Sequence, residues 1–217
     1  MSTTPNTQKN DSQQSSSMPT IVFDLGGVLV DWDPRYLYHQ VSSDKKKIEY
    51  FLTQVFTPDW NHRLDLGHDW QMLKNELISL HPDYATWINL YWDEWKKMLR
   101  GEVSGSVKLL SKIKKAGYRV LALSNWNDIK FNESLQIFPF FHWFDGRLIS
   151  GEVGLAKPDI AIYHRLISDY DLDAAKTLFI DDKIENIMAA QTIGFQTILF
   201  KNPTQLSEDL ELKHIYV

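Results

Sequence analysis

The sequence predicts an α/β fold, a doubly wound parallel Rossmann-like sheet with an inserted helical cap. Three observations carry this reading. The run Ile21-Val22-Phe23 ends on Asp24 and breaks at Gly26-Gly27. Over residues 33–105 helical periodicity takes over. From residue 106 onward short apolar runs alternate with helical stripes, the rhythm of a parallel sheet with right-handed crossovers.

In chain order, residues 1–18 are rich in Ser, Thr, Gln and Asn, with almost nothing to bury, and read as a disordered tail. The first strand follows over residues 20–24. The core is expected over residues 19–32 and 106–217, and the cap over residues 33–105. In the cap, Trp70, Leu73, Leu77 and Leu80 form one apolar stripe stopped by His81-Pro82. Ile88, Tyr91, Trp92, Trp95 and Leu99 form another, stopped near Gly101. Five of the eight tryptophans lie here (Trp60, Trp70, Trp87, Trp92 and Trp95) and at helical spacing they read mainly as core. No strand signal is visible in the cap.

After the cap, Val107, Leu110 and Ile113 mark a helix closed by Ala116-Gly117. A second strand is expected over residues 118–123, and a short strand or hairpin around Asp145-Gly146. Phe138-Pro139-Phe140-Phe141 reads as packing between core elements. Ile160, Tyr163 and Ile167 share a helical face. A third core strand over residues 177–180 ends at Asp181-Asp182. Ile184, Ile187 and Met188 mark a helix closed by Gly194, and residues 196–200 form a fourth strand.

Bulk properties narrow the function. The chain has 217 residues and 43% hydrophobic content, enough for a real core. A net charge of -5 and a pI near 5.8 argue against nucleic acid or an anionic membrane as partner. The absence of cysteine excludes disulfides, thiol catalysis and thiolate metal sites. No apolar run approaches the ~20 residues that cross a bilayer. The first 18 residues lack the apolar core of a secretory signal, so the expected location is cytoplasmic.

Four elements fall at one edge of such a sheet. Asp24 ends the first strand, Ser124-Asn125 the second, Lys157-Pro158 opens a helix, and Asp181-Asp182 ends the third strand. Taken singly these are ordinary features: a turn aspartate, an N-cap, a loop lysine, a carboxylate pair facing a helix dipole. Together they place carboxylates, an ammonium and a hydroxyl in one concavity, where ligands bind in open α/β sheets. Carboxylates so close repel, and a divalent cation resolves the repulsion. Hard oxygen ligands without thiolate favour Mg²⁺, alongside a substrate phosphate.

The ordered set Phe-Asp-Leu-Gly-Gly-Val-Leu, Leu-Ser-Asn-Trp, Ala-Lys-Pro-Asp and Phe-Ile-Asp-Asp-x-x-x-Asn resembles the haloacid dehalogenase superfamily over about residues 20–200. It is most similar to phosphatase-type members with a helical cap after the first strand. The resemblance implies that Asp24 is the nucleophile forming an aspartyl-phosphate and a metal ligand. It implies that Ser124 and the Asn125 backbone N–H hold the phosphate, and that Lys157 neutralises nucleophile and phosphoryl charge. Asp182 matches the direct metal ligand, with Asp181 and Asn186 behind it, and the Gly26 carbonyl matches a further ligand. The implied reaction is Mg²⁺-dependent hydrolysis of a small phosphorylated metabolite, with a sugar phosphate as first choice.

One position departs from the pattern. Many phosphatases of the superfamily carry an aspartate two residues after the nucleophile, where it serves as general acid and base. This chain has Gly26. Such help is typically worth ~10²–10⁴ in rate. Members similar in carrying glycine there include alpha-glucose-1-phosphate phosphatases. Either the substrate has a good leaving group, or Asp31 or Asp33 supplies the proton. Two competing readings stand beside the phosphatase. A metal-free 2-haloacid dehalogenase would use the same Asp24, with Arg35 or Arg63 as its cap arginine, but would not need Asp181-Asp182. A non-catalytic binding protein could keep the fold. In the cap, Asn61-His62-Arg63 reads as a surface polar run, and Lys45-Lys46-Lys47 as a solvated helix face.

Overall fold

The computed structural model describes residues 18–216. The tail expected over residues 1–18 lies outside them except for Met18. The strands are β1 (Thr20–Phe23), β2 (Val30–Trp32), β3 (Leu99–Glu102), β4 (Val120–Ser124), β5 (Gly146–Ile149), β6 (Thr177–Asp181) and β7 (Gln196–Leu199). Five form one sheet in the order β5-β4-β1-β6-β7. All its pairings are parallel, with Ile21 beside Val120 on one side and Leu178 on the other.

The apolar run of β1 follows from its central place, because a strand covered on both faces has no polar side. Ile21 and Phe23 face one layer; Val22, pointing oppositely, faces the other. The first layer holds α6 (Ser104–Lys115) and α11 (Pro203–Leu212), through Val107, Leu110, Ile113, Leu206 and Leu210. The second holds α9 (Ile160–Tyr170) and α10 (Ile184–Thr192), through Ile162, Tyr163, Leu166 and Ile187. The Phe138, Phe140 and Phe141 cluster packs into the first layer as expected.

Between β2 and β3 lie α1 (Arg35–Val41), α2 (Lys45–Tyr50), α3 (Pro58–Asp65), α4 (Trp70–Leu80) and α5 (Ala85–Asp93). They bury a separate core that includes Tyr38, Phe51, Leu73, Leu77, Trp87, Ile88 and Trp95. Each of α2, α3 and α4 starts on a side-chain cap, from Asp44, Thr57 and Asp69. Leu80 is 63% exposed, so the first expected stripe buries only its middle.

Two expectations are corrected. The insertion does contain a strand: β3 pairs antiparallel with β2, Val30 opposite Glu102. β3 alternates between half-buried and exposed, and β2 is three residues long with Val30 alone buried, so no apolar run reveals the ribbon. The second stripe is not one helix; α5 ends at Asp93 and a 3₁₀ turn, Trp95–Met98, leads into β3. Of the strand or hairpin expected around Asp145-Gly146, the short strand is what forms: β5 runs parallel to β4. The remaining helices, α7 (Asp128–Ser134) and α8 (Ser150–Val153), follow β4 and β5.

Candidate active site

β1 lies between β4 and β6, so the winding reverses at its C-terminal end. There, in an open sheet, a crevice forms. It is a cavity of about 280 Å³, lined on the core side by Asp24, Gly26, Ser124, Asn125, Lys157 and Asp182. These are the residues expected from the sequence. Asp181 is the exception: it lies beneath the cavity floor, fully buried.

Lys157 ties the site together. Its Nζ is 2.9 Å from Asp24 Oδ1 and 2.7 Å from Asp181 Oδ2, and donates to the Leu123 carbonyl at 2.9 Å. Asn125 holds the lysine's backbone from both sides: its Nδ2 donates to the Lys157 carbonyl at 2.8 Å, and its Oδ1 accepts from the Lys157 N–H at 2.9 Å. The Asn125 side chain therefore positions the lysine, a role its sequence context did not announce. Asp24 Oδ1 also accepts from the Leu25 N–H at 2.7 Å.

Asp181 and Asp182 divide their work. Asp181 accepts from Asn186 Nδ2 through both oxygens, at 2.9 and 3.0 Å, and from the Lys183 N–H at 2.8 Å. With Lys157 added, its acceptor sites are largely filled. Asp182 reaches the cavity instead. Gly27 has φ +77, and a Cβ there would collide with the Asp182 carboxylate, so the glycine makes room for it.

The electrostatics follow from this crowding. Burial pushes Asp24 up to about 7, against the pull of Lys157 and helped by the Asp181 and Asp182 charges. Asp182 is raised as well, by loss of solvent and by Asp181. Burial would lower Lys157, but Asp181 and Asp24 outweigh it and hold it above its ordinary value. Carboxylate oxygens of Asp24, Asp181 and Asp182 lie within 4.8 Å of one another. One ammonium does not balance three carboxylates, and the donor set is all oxygen. The residues present fit a hard divalent cation.

The chain matches the family model of haloacid dehalogenase-like hydrolases over residues 18–194. It belongs to that family. A sesquiterpene phosphatase of Aspergillus oryzae is 27% identical over 180 residues, covering 80% of this chain and 85% of the relative. A D-ribitol-5-phosphate phosphatase of Bacteroides thetaiotaomicron is 26% identical over 220 residues, covering 88% and 95%. Among solved structures, a haloacid dehalogenase-family enzyme of the same bacterium, in complex with magnesium and inorganic phosphate, superposes with a TM-score of 0.67 at 24% identity. That match covers 86% of this chain and 96% of the other.

Within this haloacid dehalogenase-like fold, several expectations about the cap side need correction. Neither Asp31 nor Asp33 lines the cavity. Asp31 accepts from Tyr36 OH at 2.8 Å, and Asp33 caps the Arg35 N–H at 2.8 Å. Both candidate dehalogenase arginines also point elsewhere: Arg35 pairs with Glu49 at 2.7 Å and Arg63 with Glu76 at 3.0 Å. His62 and Arg63 are surface residues as read, but Asn61 is not; it lines the cavity.

Sequence reasoning missed Asp65, beside Asn61 on the cavity wall, and Lys130, whose Nζ lies 4.1 Å from the Trp92 ring centroid. The spacing of Asn61 and Asp65 by four residues, one helical face, was the available signal. Trp87 is buried in the cap core away from the cavity, Trp95 belongs to that core and also walls the cavity, and Trp92, Trp32 and Trp126 complete the wall.

Proposed function

We propose that the protein is a Mg²⁺-dependent phosphatase acting on a small organic phosphate monoester through an aspartyl-phosphate on Asp24. The observation that carries this reading is Lys157 seated between Asp24 and Asp181, with Asp182 in the same cavity. The Asp24 and Asp182 carboxylates and the Gly26 carbonyl would hold the cation, with Asp181 behind them. When bound it would supply positive charge against the phosphate oxygens.

The chain's own residues supply the rest. Lys157 neutralises charge as the carboxylate attacks phosphorus. Ser124 and the Asn125 backbone lie where the transferring group would be held. Phosphatase names among the relatives support the reaction class. The substrate's other half would meet Trp32, Trp92, Trp95 and Trp126. That wall favours a group with an apolar face, such as a sugar ring or a hydrocarbon, rather than a wholly polar one.

The dehalogenase reading loses support because both arginines are engaged on the surface and the carboxylate cluster has no use in it. The intact Asp24–Lys157 pair supports an enzyme over a binding protein. The test is turnover of p-nitrophenyl phosphate and of 2-chloropropionate, with EDTA and with added Mg²⁺. Phosphate release that EDTA abolishes, Mg²⁺ restores and Asp24→Asn reduces by ~10⁴ or more is the expected result. Halide release in EDTA would overturn it.

A further inference from the structure

The phosphatase reading leaves a proton without a carrier. Gly26 has no side chain, and no heavy atom lies within 4 Å of where its Cβ would be. A departing alkoxide needs a donor beside it, and besides Asp24 and Asp182 one carboxyl among the described residues lines the cavity.

Asp65 is the last residue of α3 and lines the cavity with Asp24. Its backbone is pinned to the core. Its carbonyl accepts from Ser150 Oγ at 2.6 Å, and the preceding Leu64 carbonyl accepts from Asn127 Nδ2 at 3.2 Å. Ser150 and Asn127 are both buried. Just beyond, Gly67 at φ +82 lets the chain approach the Gly151 carbonyl, which a Cβ would meet at 2.6 Å. The side chain is oriented too: Tyr91 OH donates to Asn61 Oδ1 at 2.6 Å, and Asn61 Nδ2 donates to Asp65 Oδ2 at 2.8 Å. A carboxyl held this firmly, on the same cavity as the nucleophile, is built for a task at a fixed point.

We propose, resting on the phosphatase reading, that Asp65 is the general acid and base that Gly26 cannot be. As an Asp24 oxygen bonds to phosphorus, the phosphorus–oxygen bond to the leaving group breaks, and the Asp65 proton passes to that oxygen. The products are an alcohol, an aspartyl-phosphate and an Asp65 carboxylate. Water then attacks phosphorus and gives one proton to Asp65. The bond to Asp24 breaks, releasing inorganic phosphate and restoring both groups.

The protonation state agrees with the first step. Burial pushes Asp65 up to about 7, with the Asp24 charge adding to it and Lys183 and Lys157 opposing. A carboxyl raised into this range carries its proton near neutral pH, as a general acid must.

The experiment compares kcat/KM for hexyl phosphate and p-nitrophenyl phosphate in wild type and Asp65→Asn. This ratio reports steps through departure of the leaving group. Hexyl alkoxide needs a proton to leave, whereas p-nitrophenolate does not. The expected result is a ~10²–10⁴-fold loss on hexyl phosphate. On p-nitrophenyl phosphate the change should stay within about threefold. That retention also shows the variant folded. In the same variant, kcat on p-nitrophenyl phosphate should fall, with a burst of p-nitrophenolate, because water attack has lost its base. Equal losses on both esters, no loss on hexyl phosphate, or a wild type that hydrolyses only p-nitrophenyl phosphate would overturn the role of Asp65. A wild type that hydrolyses neither would sink the phosphatase reading itself.

Discussion

Asp24, Asp181 and Lys157 occupy the core side of the cavity, at strand ends or against them, and each is held by buried neighbours. Asn61 and Asp65 occupy the cap side, on α3 (Pro58–Asp65), whose Leu64 and Asp65 carbonyls accept hydrogen bonds from Asn127 and Ser150 of the core. The core half is stabilised by charges that must be buried together and cannot part without cost. The cap half is in register only while α3 is docked. A site divided in this way can separate its tasks: in the proposed reaction the core would fix the phosphoryl group, and the docked cap helix would supply the proton.

The largest expected effect tests the core half. Lys157→Met leaves Asp24 and Asp181 buried without their cation partner. Removing one member of a buried charged network costs about 3–5 kcal/mol. Denaturant unfolding should therefore show a loss of that order, along with the loss of activity. A loss below about 1 kcal/mol would mean the core charges tolerate separation, and the contrast with the cap would fail.

The next effect moves the acid from one half to the other. A Cβ at position 26 would meet open space, which makes Gly26→Asp the substitution to try. In an Asp65→Asn background, Gly26→Asp should recover kcat/KM on hexyl phosphate by at least ~10-fold, out of the ~10²–10⁴ at stake in acid catalysis. No recovery would show that position 26 cannot reach the leaving oxygen, and that the cap residue and the glycine are not exchangeable sources of one proton.

The two halves also differed in how far the sequence revealed them. Asp24, Ser124 and Asp181-Asp182 were legible because polar residues at the end of apolar strands gather at one sheet edge, and Lys157 because Ala-Lys-Pro-Asp completes the ordered motif set. The parallel sheet was legible from the same strands, since β1 (Thr20–Phe23) and β6 (Thr177–Asp181) are buried along their length. The β2–β3 ribbon was not, because Val30-Asp31-Trp32 and Leu99-Arg100-Gly101-Glu102 are short, largely solvated and carry no apolar run. Asp65 was hidden by a different cause. On a helix, sequence gives the face a residue shares with its neighbours but not what that face meets. Asn61, His62 and Arg63 are adjacent in sequence, yet only Asn61 turns into the cavity, while Arg63 lies over the Trp60 ring at 4.3 Å. Docking against Ser150 and Asn127, remote in sequence, decides the matter.

The smallest effect is a pH dependence that reads the cap half directly. In the unfolded chain Asp65 gives up its proton near the ordinary value of ~3.9. In the folded protein burial holds that proton up to about 7. Between these values the native state binds the extra proton, so the stabilisation is complete below the lower one and is lost as pH rises through the upper one. Asparagine cannot titrate. The stability of wild type relative to Asp65→Asn should therefore decline from pH 5 to pH 8, by about 1 kcal/mol or more, or roughly 2–4 °C in Tm. Asp24 titrates in both proteins, and its repulsion of the Asp65 charge, absent from the asparagine variant, adds to the same decline. A difference flat with pH would place the Asp65 carboxyl in water with an ordinary titration. The cap would then hold no proton to deliver, and the division of labour between the two halves would have to be redrawn with the acid on the substrate side.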